Sequence, residues 1–267
     1  MKHTILLFGK IVKYRFMALI EYPGAYFAGI IAQWFSYGIR MALLFLVVWN
    51  FGSLAGWLPD EVIFLYALWL LSYALAASFT FNLCRGFSQM AINGTMDEAL
   101  IRPMSPLAYL FATTYNLGYI SHVILTVAAL VLSITRLGIV WSVFQWIWLI
   151  VTIVTGAVIQ GCMMLICDMP AMRTRSESPT GVFFWDINFW FLQYPISIYP
   201  KPLILLFTSV LPFGFINFYP IQVLLGKQEG ILPQVMIWLS PVVATVLLFV
   251  TGLCWRGLTR RYESAGT

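Results

Sequence analysis

The stretches Val62–Cys84, Leu107–Thr135, Leu137–Cys167 and Ile231–Trp255 carry no charged residue. Each is long enough for the roughly 20 apolar residues that a helix needs to cross about 30 Å of hydrocarbon. The apolar runs are continuous, whereas a membrane barrel would alternate in segments of about ten residues. The pattern therefore predicts helical spans at Gly24–Val48, Glu61–Cys84, Leu107–Ile134, Val140–Cys167, Gly181–Ile198 and Gln234–Trp255. The fifth is short and contains Asp186.

Between these runs lie three segments of different character. Arg85–Pro106 and Asp168–Thr180 are polar. Tyr199–Pro233 contains Pro200, Pro202, Pro212, Pro220 and Pro233. Proline lacks an N–H and clashes with the preceding helical turn, so this density opposes a straight span. It suits short helices that enter the membrane and return, with their irregular backbone covered by protein or a watery cavity. At the N-terminus, Ile5, Phe8, Val12, Phe16 and Leu19 recur three and four residues apart, which predicts one apolar helical face over 2–20. Lys10 and Lys13 project elsewhere, as in a helix lying on a membrane surface. A signal peptide does not fit, because Lys10 interrupts the apolar stretch and no small-residue cleavage site follows.

Composition sharpens the class. Hydrophobic residues make up 61% of the chain and charged residues 9%, against roughly 25% charged in soluble domains. The expected fold is all-α and polytopic, a single membrane domain over 1–267. The net charge of +5 reads as topology rather than as a nucleic-acid surface. With the N-terminus inside, Arg136, Lys201 and Lys227 lie outside and Arg40 lies within span 1. The remaining eleven of the fifteen basic residues then lie on the cytoplasmic side, which predicts cytoplasmic N- and C-termini. No internal repeat of the kind that builds many secondary transporters is visible.

Candidate chemistry is sparse. There is no G-x-x-x-x-G-K-[ST] phosphate loop, no H-E-x-x-H and no G-x-S-x-G. The histidines, His3 and His122, are isolated, and His122 reads as a packed helix residue. Cys84, Cys162, Cys167 and Cys254 form no C-x-x-C pair and read as small packing residues. No catalytic residue, metal site or bound cofactor is expected. Two embedded charges stand out. An arginine at a helix centre costs about 2.5–3.5 kcal/mol, and each Leu, Ile, Phe or Val returns roughly 0.3–0.6. The eleven such residues from Phe27 to Val48 offset Arg40. Arg40 and Asp186 either snorkel to an interface or belong to a translocation path.

The sharpest local signal is Gly94–Pro103. Gly94 ends a turn, Thr95 is placed to cap a short helix, and Asp97 and Glu98 sit in its first turn, where the helix dipole favours acids. Arg102 falls in its last turn and Pro103 stops it. Met96, Ala99 and Leu100 provide apolar contact. This reads either as a plain capped loop helix or as one presented to a partner.

Taken together, GWLPDEVIFLYA (Gly56–Ala67), GTMDEALIRPMSPL (Gly94–Leu107), YPISIYPKPL (Tyr194–Leu203) and PFGFINFYP (Pro212–Pro220), with Glu21-Tyr22 before span 1, resemble the permease subunit of type-2 ABC exporters, in the six-span ABC transport system permease branch. The one departure is Glu98-Ala99, where a less acidic, bulkier pair is expected. The resemblance implies an interfacial connecting helix over 1–22. It implies a coupling loop over 85–106, in which Thr95, Met96, Asp97, Glu98, Leu100 and Arg102 dock on a separate ATPase. Re-entrant outer helices are implied over 199–233. It further implies two ATPase copies holding ATP and Mg, and a second permease in a homo- or heterodimer within the bacterial inner membrane. The substrate would be hydrophobic or amphipathic. An ion-gradient-driven transporter or channel subunit is the alternative; it calls for several charges at mid-membrane, and only Arg40 and Asp186 qualify.

Overall fold

A computed structural model describes residues 7–14, 17, 23–176, 178–227 and 234–262, without the side chains of Ala25, Pro179, Thr180 and Phe183. The chain is helical throughout, with no strand among the described residues. Residues 7–14 form α1, on which Phe8 and Val12 are half-buried while Lys10 and Lys13 are exposed. The rest of the expected surface helix, including Ile5, Phe16 and Leu19, lies outside the described residues.

The long helices are α2 (Pro23–Phe51), α3 (Pro59–Ile92), α6 (Ile120–Leu137), α7 (Val143–Asp168) and α12 (Ser240–Arg260). All five are long and apolar enough to cross a membrane. Helix α3 is the axis of the bundle and is buried along most of its length. Pro59 opens it, a position where the missing N–H costs nothing. Asp60 and Glu61 occupy its first turn, and Glu61 Oε2 accepts the Leu58 N–H at 2.7 Å. Against α3 lie α6 and α7, and α12 packs on α7. The α3–α7 approach depends on small residues. A Cβ on Gly156 would fall 2.7 Å from Ser72 Oγ and 2.9 Å from the Ile216 carbonyl. Across the same contact Gln160 Nε2 donates to the Trp69 carbonyl at 3.2 Å.

Three expected spans are not continuous helices; the sixth opens as a 3₁₀ turn over Gln234–Trp238 and becomes α12 only at Ser240. Span 3 breaks at Tyr115–Asn116 into α5 (Pro106–Thr114), a 3₁₀ turn at Leu117–Tyr119, and α6. The freed backbone groups find partners on α3 and locally. Asn82 Nδ2 donates to the Thr114 carbonyl at 3.0 Å, and Asn116 N donates to the Ser78 carbonyl at 2.8 Å. Gly118 N donates to Asn116 Oδ1 at 2.9 Å. Span 5 is only α9 (Pro179–Trp190), preceded by the short α8 (Pro170–Thr174). Its 12 residues reach about 18 Å, short of a bilayer. The chain leaves the helix before Pro195, which disfavours helical geometry in the residue before it.

The proline-rich segment makes a bent helical hairpin. Its first arm is α10 (Lys201–Leu205), running on as a π-helical turn to Val210. Its second arm runs from Phe213 into α11 (Phe218–Leu225), and the arms meet at 76°. Counted as one span, this pair brings the bundle to six. Side chains of neighbouring helices satisfy carbonyls along it, as apolar surroundings demand. Trp148 Nε1 donates to Pro220 O and Trp141 Nε1 to Leu224 O, both at 3.1 Å, and Ser240 Oγ donates to Phe215 O at 2.6 Å. Gly214 lies so close to the Tyr219 ring, 2.5 Å from where a Cβ would stand, that no side chain fits. Residues 228–233 lie outside the described part.

Candidate transport and coupling sites

The loop helix α4 (Thr95–Ile101) follows α3 after a left-handed Gly94 at φ 71°. Gly94 takes the cap position, so Thr95 is the first helical residue and does not cap, contrary to the expectation from sequence. Met96 and Ala99 are fully buried against α3 and α5, in the chain's own core. Thr95, Asp97 and Glu98 are half-buried. Leu100 and Arg102 are exposed, and so is Ile101, at 82% of its surface. The outward apolar pair is therefore Leu100 with Ile101, and Met96 is on the inward face. Spacing alone groups Leu100 with Met96 and Ala99, at i, i+3 and i+4; the structure instead leaves Leu100 outward beside Ile101.

Two polar contacts brace α4. Glu98 pairs with Arg102 one turn on, and the Tyr109 hydroxyl donates to Glu98 Oε1 at 2.8 Å. The Arg102 guanidinium also lies 5.5 Å from the centre of the Tyr109 ring. Hydrogen bonds from Arg102 and then Tyr109 hold the Glu98 carboxyl below its ordinary range, so it is ionised at neutral pH. The second contact joins distant parts of the chain: Tyr262, just past α12, donates its hydroxyl to Asp97 Oδ2 at 3.4 Å.

A cavity of about 420 Å³ opens among α2, α3, α6 and α9. Gln33 and Tyr37 line it from α2, and Tyr73, Phe81 and Arg85 from α3. The broken region before α6 supplies Asn116 and Tyr119, α6 itself supplies His122, and α9 supplies Trp185 and Phe189. Ring contacts hold the wall together. The His122 ring lies 4.6 Å from Tyr37 and 5.0 Å from Tyr119, centre to centre. The Tyr73 and Tyr119 hydroxyls are 3.5 Å apart. His122 is 2% exposed and its Nε2 has no hydrogen-bond partner; Nδ1 lies 3.4 Å from Ser121 Oγ. A histidine read from sequence as packing thus stands in a cavity wall. The phenols were present in the uncharged runs, but their convergence needs four elements and the Asn116 break.

Of the two embedded charges, Arg40 is near this cavity and Asp186 is not. Arg40 lies one turn beyond Tyr37 on α2, with its guanidinium 5.9 Å from the ring centres of Phe189 and Trp190. Asp186 is exposed on α9 and lines no part of the cavity. Arg85 stands at the opposite end, between the cavity and a small crevice beside the buried Asp168. In that crevice the backbone at Gly181 presses on Asp168, leaving no room for a Cβ.

At the hairpin end, Lys227 follows a left-handed Gly226 and turns back onto α3. Its Nζ lies 2.6 Å from Glu61 Oε2 and 2.9 Å from the Gly56 carbonyl, and 4.8 Å from the centre of the buried Trp57 ring. Gly56 and Ala55 both have positive φ, as the tight Leu54–Trp57 turn requires. No group of metal-binding side chains occurs among the described residues.

The bundle of five long apolar helices, with the bent hairpin as a sixth candidate span, is that of a polytopic membrane protein. Residues 34–266 match the model of the ABC-2 family transporter protein. The chain belongs to this family and is an ABC transporter permease subunit. Such a subunit works with an ABC ATPase. No curated protein and no solved structure matches the chain.

Proposed function

We propose that the chain is the permease of an ATP-driven exporter in the bacterial inner membrane, with both termini and the Gly94 loop cytoplasmic. Two permease subunits, identical or related, would pair with two ATPase copies that hold the ATP and Mg. The chain would supply the path for a hydrophobic or amphipathic substrate. The observation that carries this reading is the build of α4: an outward Leu100, Ile101 and Arg102, backed by core residues Met96 and Ala99 and tied through Asp97 to Tyr262. A push on this short helix is transmitted to α3, which it follows in sequence, and to the end of α12. Helix α3 is the core of the bundle, and α12 packs on α7.

In this reading Thr95, Asp97, Glu98, Leu100 and Arg102 contact the ATPase, while Met96 positions the helix from behind. The cavity beside Arg40 is the path, and Asp186 lies off it. Replacing Leu100 and Ile101 together by aspartate tests the reading. The complex is expected to lose the ATPase on copurification, or to lose transport-linked hydrolysis, while the chain stays folded. Retention of both properties would remove α4 from the coupling role.

A further inference from the structure

We propose that the cavity among α2, α3, α6 and α9 is a binding site for an amphiphile with a phosphate or carboxylate head. Arg85 would take the head at the Gly94-loop end and Arg40 would receive it at the other. The order of travel rests on the exporter reading above; binding itself does not.

The first argument is electrostatic. Among the described residues no carboxylate lines the cavity. Neither Arg40 nor Arg85 forms an ion pair or a hydrogen bond among them. The nearby acids do not line the cavity: Asp168 is buried in the crevice whose wall it shares with Arg85, without an ion pair between them, and Asp186 is exposed on α9. An uncompensated guanidinium within a membrane is costly and is retained where it meets a charge. Its planar fork matches phosphate and carboxylate oxygens. Arg85 lines the cavity, Arg40 lies beside it over the lining ring of Phe189, and no acid stands in the wall, so the potential there favours an anion.

The second argument concerns the wall. The phenols of Tyr37, Tyr73 and Tyr119, the amides of Gln33 and Asn116, and the unpartnered His122 Nε2 supply hydrogen bonds. Phe81, Trp185 and Phe189 supply apolar faces for a tail. At about 420 Å³ the space falls within the roughly 300–1,000 Å³ of small-molecule sites. Aromatic walls alone would also suit a quaternary ammonium. The two guanidinium groups oppose that ligand and favour its anionic counterpart.

The test is equilibrium binding of radiolabelled dodecyl phosphate to the purified full chain in phosphatidylcholine nanodiscs. It uses no ATP and no ATPase, so its outcome is separate from that of the coupling test. One molecule is expected per chain. Arg85→Gln should weaken binding at least about tenfold, the loss of a charge-assisted hydrogen bond; Arg85→Lys should weaken it less, and so should Arg40→Gln, because the head is held at one end at a time. Both glutamine variants should elute as the parent does, since neither arginine holds the fold by a polar contact. Dodecyltrimethylammonium and inorganic phosphate should not displace the label. Displacement by the cationic amphiphile as effective as by dodecyl phosphate would overturn the proposal. So would equal displacement by inorganic phosphate, or unchanged affinity in both glutamine variants. Nanodiscs containing phosphatidylglycerol then separate the sources. Competition assigns the site to a membrane lipid and its absence to a single-chain amphiphile from solution, and either result upholds the anionic site.

Discussion

Lys227 Nζ sits 2.6 Å from Glu61 Oε2, so the residue that follows the bent hairpin is tied to the first turn of α3. Both side chains are largely buried, and the same ammonium faces the Gly56 carbonyl and the Trp57 ring. This contact joins the bent helical hairpin to the most buried of the long helices. It fixes the hairpin where its own proline-broken backbone is least able to hold itself.

Breaking one partner of a buried pair leaves the other charge uncompensated, at about 3–5 kcal/mol, whereas replacing both is far milder. Lys227→Met and Glu61→Gln are therefore each expected to lower the thermal midpoint of the purified chain clearly. The double variant should recover much of the loss, although Glu61→Gln also weakens the bond to Leu58 N. A double-mutant cycle reads the coupling. Strictly additive losses would show that the contact contributes nothing to the fold.

Orientation is checked by chemistry from the two ends of the bundle. In a background without Cys84, Cys162, Cys167 and Cys254, Ser53→Cys, in the exposed α2–α3 turn, should react with a membrane-impermeant thiol reagent in intact cells. Thr95→Cys should react only after permeabilisation. The reverse pattern would invert the topology, and with it the assignment of α4 to the ATPase side.

The α3–α7 contact offers a packing test. Gly156→Ala places a methyl within 2.9 Å of both Ser72 Oγ and the Ile216 carbonyl, and overpacking of this kind costs about 1–3 kcal/mol. Adding Ser72→Ala removes only one of the two clashes. Partial, not full, recovery of thermal stability is the expected outcome. Full recovery would mean that the hairpin backbone at Ile216 gives way easily.

What the sequence disclosed follows from the range of each interaction. The long helices were legible because charge gaps and proline positions act locally: Pro59 opens α3, and Asp168 marks the end of α7. The break at Asn116 was not, since it depends on Asn82 and on the Ser78 carbonyl, both on α3. Span 5 read as a continuous run because its residues are apolar, but apolarity also describes a short helix packed beneath a hairpin. Within the loop, the identities of Asp97, Glu98 and Arg102 marked a short helix. Which face turns outward was decided by the burial of Met96 and Ala99. The cavity was least legible of all: Tyr37, Tyr73, Tyr119 and Phe189 are scattered through the chain and meet only in three dimensions.

The division of α4 into an outward and an inward face yields the most discriminating prediction. Leu100 and Ile101 touch solvent, so Leu100→Asp with Ile101→Asp should leave the thermal midpoint of the isolated chain within a degree or two, as surface changes usually do. Met96 is fully buried, so Met96→Ala should cost about 2–5 kcal/mol through the cavity it leaves and lower the midpoint clearly. Tyr262→Phe removes only the bond to Asp97 and should change the midpoint little. Because that bond links α4 to the end of α12, it should reduce hydrolysis stimulated by the permease while the ATPase remains bound. The four measurements belong together: midpoint, copurification, basal hydrolysis and stimulated hydrolysis. If Met96→Ala were stable yet uncoupled, Met96 would be a contact residue and the outward face would have been assigned to the wrong side of the helix. If Tyr262→Phe left stimulated hydrolysis untouched, movement of α4 would reach the spans through α3 alone.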